Sequence, residues 1–161
     1  MRRKALIYCV ALAAAVLFMD VASASAGWRL RLDVKAADAK NTLVIGQSPD
    51  AQDERDPVYD VPAMLAGDIQ ARINLDGYSF WQDIRKSCGA SACSKTWTFA
   101  VSSSLDGETV TISWDPSSLP TGMRVTLTDS QDNVTTDMTG SSYYSYTNDG
   151  DRGFAIEISG K

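Results

Sequence analysis

From residue 28 onward, apolar and polar positions alternate along most of the chain. Trp28, Leu30, Leu32 and Val34 are separated by Arg29, Arg31, Asp33 and Lys35, a period of two that predicts a half-buried strand. The apolar run Thr42 to Ile45 stops at Gly46 and predicts a second. Ile69, Ala71, Ile73 and Leu75 alternate with Gln70, Arg72 and Asn74 until the turn dipeptide Asp76-Gly77, after which a strand starts at Tyr78 and runs to about Arg85. Three more alternating stretches follow: Trp97, Phe99, Val101; then Val110, Ile112, Trp114; then Met123, Val125, Leu127. Turn chemistry bounds each of them, at Asp106-Gly107, at Asp115-Pro116 through Pro120-Thr121-Gly122, and at Asp129 to Asn133. The C-terminal part holds Val134 to Met138, the tyrosines 143, 144 and 146, a turn at Asn148-Asp149-Gly150, and Phe154, Ile156 and Ile158. Strands this short and numerous, about nine, with turns between them and no helical period, predict an all-β antiparallel sandwich of two sheets.

Two segments depart from the alternation. Residues 47–62 are rich in proline and aspartate and read as the longest loop. Residues 1–26 carry basic Arg2-Arg3-Lys4, an apolar stretch from Ala5 to Met19, and Ala24-Ser25-Ala26 before Gly27, the layout of a cleavable secretory signal peptide. The apolar stretch is short of the roughly 20 residues that span a bilayer and lacks a basic stop-transfer flank, so cleavage after Ala26 is favoured over an uncleaved anchor. Cys9 lies too early to become a lipid-modified first residue. The expected chain is one domain, 27–161, in the periplasm, at the cell surface or secreted, with no transmembrane anchor after cleavage.

Without the leader, 12 basic and 19 acidic side chains remain, a formal net charge of −7 that disfavours nucleic acid and anionic lipid as partners. Cys88 and Cys93 remain as an even pair in an oxidising compartment, which reads as a disulfide. A two-cysteine metal site is the alternative, and it lacks further cysteine or any histidine to complete a shell.

Val110-Thr111-Ile112-Ser113-Trp114-Asp115, then Ser118-Leu119-Pro120, then Val125-Thr126-Leu127-Thr128-Asp129 form a combination that resembles the immunoglobulin-like accessory domains of exported bacterial proteins. Asp56-Pro57-Val58-Tyr59-Asp60-Val61-Pro62, following Leu43-Val44-Ile45-Gly46, is similar to a segment of the same domains. The resemblance implies an immunoglobulin-like β-sandwich of 7–9 strands, usually C-terminal in a larger secreted protein, that assists folding, attachment or sorting and does no chemistry.

The candidate chemistry is sparse. The chain has no histidine, which removes Ser-His and Cys-His machinery, and paired carboxylates are the catalytic arrangement that stays open. Asp50, Asp53, Glu54, Asp56 and Asp60 place five carboxylates in the long loop, a candidate structural calcium site, though aspartate also serves turns for its own hydrogen-bonding reasons and the spacing is not that of an EF-hand. Trp81, Trp97 and Trp114 sit on strands and are expected in the core. Tyr143 and Tyr144 are adjacent on a strand, so one must face outward; with Tyr146 they are a candidate ligand platform that could stack on a sugar or a partner protein, the alternative being cross-strand packing. The expected function is a non-catalytic binding or structural module with a protein or glycan partner at the cell surface. Its rivals are a carbohydrate-binding module using the tyrosines and a subunit of a surface fibre whose sheet edge accepts a neighbour's strand.

Overall fold

The computed structural model describes residues 27–88 and 93–160. The leader read from residues 1–26 lies outside the described residues. Eleven strands make up the described fold: β1 (Trp28–Ala36), β2 (Ala39–Ser48), β3 (Val61–Pro62), β4 (Ile69–Leu75), β5 (Tyr78–Lys86), β6 (Ser94–Ser103), β7 (Thr109–Ser113), β8 (Met123–Asp129), β9 (Val134–Asp137), β10 (Tyr143–Thr147) and β11 (Arg152–Gly160). A single 3-10 turn, Pro116–Ser118, links β7 to β8, capped by the Asp115 side chain, which accepts from the Ser117 N–H.

Strand pairing follows one unbroken path, β10-β7-β1-β2-β5-β4-β6-β11-β8-β9, with β3 attached to β5. The path bends at β5. Its first residues, Tyr78 to Phe80, pair with β4, whereas Gln82 to Lys86 pair with β2. The ladder thus turns a corner and its halves face each other as a mixed sheet nearly closed into a barrel, open between the end strands β9 and β10. The all-β class is as the alternation predicts. Three features differ: eleven strands instead of about nine, one continuous ladder instead of two separate sheets, and a parallel β2–β5 pair in place of uniform antiparallel pairing. Parallel pairing is set by a long crossover, which leaves no local mark in the sequence.

Inward positions of the alternating stretches build one core. Leu30, Leu32, Val34 and Ala36 from β1 meet Trp97, Phe99 and Val101 from β6 and Phe154, Ile156 and Ile158 from β11, all buried. Each fully buried large side chain contributes about 2–3 kcal/mol of transfer free energy. Aromatic contacts join the facing halves: Trp28 meets Trp97 edge-on at 5.8 Å, and Tyr146 lies 5.5 Å from Phe154. Trp97 and Trp114 are core residues, as expected, but Trp81 is exposed. Phe80 takes the inward position on β5, and the next residue along a strand points to the opposite face.

The expected disulfide between Cys88 and Cys93 is present. It sits at one pole of the sheet, where the Gln47 side chain accepts from the Trp28 indole at 2.9 Å and donates to Cys88 Sγ at 3.0 Å, and where the Gly160 N–H donates to the Cys93 carbonyl at 2.9 Å.

Candidate functional site

The loop after β2 is shaped by two of its aspartates. The Asp56 carboxylate accepts from the N–H groups of Gln52 and Val58, and Asp60 accepts from the N–H groups of Asp56 at 2.6 Å and Ile84 at 3.1 Å. The Gln82 amide donates to the Tyr59 carbonyl at 2.7 Å, and the Ala63 N–H donates to the Ser79 carbonyl at 2.9 Å. These bonds fasten the segment from Asp56 to Ala63 along β5. Both aspartates are buried. For Asp60, burial pushes the carboxyl above its ordinary value, against the lowering effect of its two N–H donors.

Of the proposed calcium ligands, the structure brings Asp56 and Asp60 together and spends both on backbone N–H groups. Asp50 is exposed, and Asp53 pairs with Lys95 instead. Among the described residues, no group of three or more acidic or cysteine side chains is gathered as a cation requires.

Fastening the loop leaves its apolar side chains facing solvent. Among the described residues, seven large hydrophobic side chains are exposed, and five of them, Val58, Met64, Leu65, Tyr78 and Trp81, come from this loop and β5. Met64 is 88% exposed and Val58 83%, so neither packs on the core. A groove of about 370 Å³ runs between loop and strand, lined by Arg55, Pro57, Asp60, Pro62, Tyr78 and Phe80. The Arg55 guanidinium lies 4.7 Å over the Tyr78 ring, a cation–π contact, and has no ion pair among the described residues. The sequence pattern reads residues 47–62 as a loop and assigns no role to Val58 within it or to Met64 and Leu65 just beyond it. The available signal was Pro62-Ala63-Met64-Leu65: proline confines a strand to a sheet edge, so the apolar residues that follow it have no central strand to join and must either cover something or face outward.

The three tyrosines divide. Tyr143 is 62% exposed on β10, Tyr144 is half-buried, and Tyr146 is buried in the core against Phe154. The Tyr144 hydroxyl donates to Asp129 Oδ2 at 2.8 Å, and the Arg152 Nε donates to the same oxygen at 2.7 Å. Arg152 also pairs with Asp132 and approaches Asp149 at 3.6 Å, while its guanidinium covers the Tyr146 ring at 4.5 Å. This buried network ties β8, β10 and β11 together. Burial opposes ionisation of Asp129, but hydrogen bonds from Tyr144, the Gln131 N–H, Arg152 and the Asp132 N–H outweigh it and hold the carboxyl below its ordinary value. Burial and the bond to Asp129 push the Tyr144 hydroxyl up to about 12. Tyr144 and Arg152 lie 15 and 23 residues from the Asp129 they share, so no local pattern announces their meeting.

The groove thus has exposed apolar side chains in the segments that form it and, in Arg55, a cation with no ion pair among the described residues. No protein family, no curated protein and no solved structure matches the chain significantly.

Proposed function

We propose that this chain is a non-catalytic exported binding module that engages a protein partner through the face formed by Arg55, Val58, Met64, Leu65 and Tyr78. The exposure of Met64, Val58 and Tyr78 beside the groove carries this reading. Protein interfaces are enriched in tyrosine, methionine and arginine, the residue types of Tyr78, Met64 and Arg55 in this face. A sugar site needs aromatic rings but has no use for projecting aliphatic side chains such as Met64 and Val58. The three-zone leader supports export to the periplasm or cell surface, and the lack of histidine supports a role without chemistry. Kinship with immunoglobulin-like accessory domains rests on the Val110 to Asp129 motif and supports the same role.

The test is a photo-crosslinking amino acid placed at Met64 and, separately, at Thr135 on β9, in cells of the source organism. An adduct to one defined protein from position 64, absent from position 135 and lost in a Leu65→Asp, Tyr78→Ala variant, is the expected result. Equal labelling from both positions, or none from position 64, overturns the reading. Glycan binding that is lost in Tyr143→Ala would replace it with the carbohydrate reading.

A further inference from the structure

Strands at the edges of a sheet carry unpaired backbone groups, and proteins shield them with charge, proline, bulges or a covering segment. The two end strands differ in this respect. β9 has four residues, ends in Asp137 and follows Asp132. β10 has five residues, and no charged residue, proline or bulge occurs from Ser141 to Asn148. Residues 140–145, the preceding turn and the start of this strand, line an open groove of about 510 Å³.

The direction of the β10 backbone groups follows from its pairing. The Trp114 N–H donates to the Ser142 carbonyl at 2.9 Å, and the Asn148 N–H donates to the Glu108 carbonyl at 2.8 Å. In an antiparallel ladder, hydrogen-bonded pairs alternate with non-bonded ones. Tyr144 opposite Ile112 and Tyr146 opposite Val110 therefore spend their backbone groups on β7, whereas Tyr143, Ser145 and Thr147 turn theirs away from it. The side chains of these same three residues are exposed.

We propose that β10 is a self-association edge at which a second copy of this chain pairs antiparallel about a two-fold axis at Ser145. In this register Ser145 faces the partner's Ser145 and Tyr143 faces the partner's Thr147, an aromatic and β-branched pair that stabilises a sheet face. Every outward backbone group of the strand gains a partner. The acidic Asp149 falls opposite the partner's Ser141, so two strongly negative copies meet along an uncharged line. A heterologous strand would need complementary side chains that β10 does not specify, whereas its own sequence fits in the isologous arrangement. An edge of five residues buries less than the roughly 1,200 Å² of a standard interface, so the association is weak and concentration-dependent. It uses a different surface from the Met64 face and does not rest on the protein-binding reading.

Sedimentation velocity of the chain from Gly27, up to about 1 mM, tests the proposal. The expected result is a monomer–dimer equilibrium that Ser145→Lys abolishes by setting two like charges side by side, with the circular dichroism spectrum unchanged. Ser145→Cys should give a disulfide-linked dimer on mild oxidation, and Thr135→Cys on β9 should not. A monomer throughout the concentration range, a dimer indifferent to Ser145→Lys, or polymers that persist in that variant would each overturn it.

Discussion

Two tyrosines two residues apart do opposite things with their hydroxyls. That of Tyr144 donates to a buried carboxylate, whereas that of Tyr146 is buried with no hydrogen-bond partner among the described residues. Removing the first leaves Asp129 with one donor fewer, and hydrogen bonds to charged groups contribute about 1.5–3 kcal/mol. Tyr144→Phe should therefore lower the free energy of unfolding by about 2 kcal/mol in urea titrations. Tyr146→Phe removes an unsatisfied polar atom and should be neutral or slightly stabilising. Equal losses in the two variants would mean that the Asp129 bond contributes little. At this scale the sequence was partly legible. Adjacent strand residues must diverge, and Tyr143 is indeed the outward one of its pair. That Tyr144 reaches a carboxylate from β8 depends on how the strands curl together, and no spacing encodes that.

Among elements, the strands with strict alternation were legible nearly to the residue: β4 spans Ile69–Leu75 and β5 starts at Tyr78, as the pattern and the Asp76-Gly77 turn require. Both turn residues have positive φ, 52° and 80°, the backbone of a tight hairpin suited to a twisted ladder. The start of β2 was missed because its hairpin turns at Ala37 and Asp38, with Ala37 at φ 47°, and alanine carries no turn signal. β3 was hidden inside the loop, since a two-residue strand ending in proline has no period to read. Gly46, taken only as the end of β2, has a sharper role. A Cβ there would lie 2.2 Å from the Trp28 carbonyl oxygen, so β1 can approach only if position 46 lacks a side chain. Gly46→Ala should force the β1–β2 hairpin apart and cost about 1–3 kcal/mol, the range for overpacking. An unshifted unfolding midpoint would show that the pair can adjust without loss.

Buried carboxylates give the whole molecule an unusual dependence on acidity. Burial pushes Asp60 and Asp83 above the ordinary carboxylate value, the latter in spite of its 2.9 Å ion pair with Arg85. Asp129 and Asp33 lie below that value because hydrogen bonds and nearby cations outweigh their burial. In the folded state the raised pair takes up protons first as pH falls, so stability increases as pH drops through their folded values and stops increasing near the ordinary value of about 3.9. The lowered pair contributes stability above that value, and it is lost as pH falls through their folded values. Denaturation midpoints measured from pH 7 to 3 should pass through a maximum in mildly acidic solution, near about pH 4. A steady decline from neutrality would contradict the raised values. The fold class was legible because solvent and core impose a period of two on every strand, while the path of the ladder depends on pairings between distant segments. β5 shows what that implies for the order of assembly. Its first half joins β4 through a two-residue turn, a closure of microseconds, whereas its second half must find β2 across the whole intervening loop and β3. The β4–β5 hairpin can thus form early and wait for its second neighbour, and refolding followed by stopped-flow fluorescence should take about milliseconds to seconds, as for chains dominated by non-local pairing.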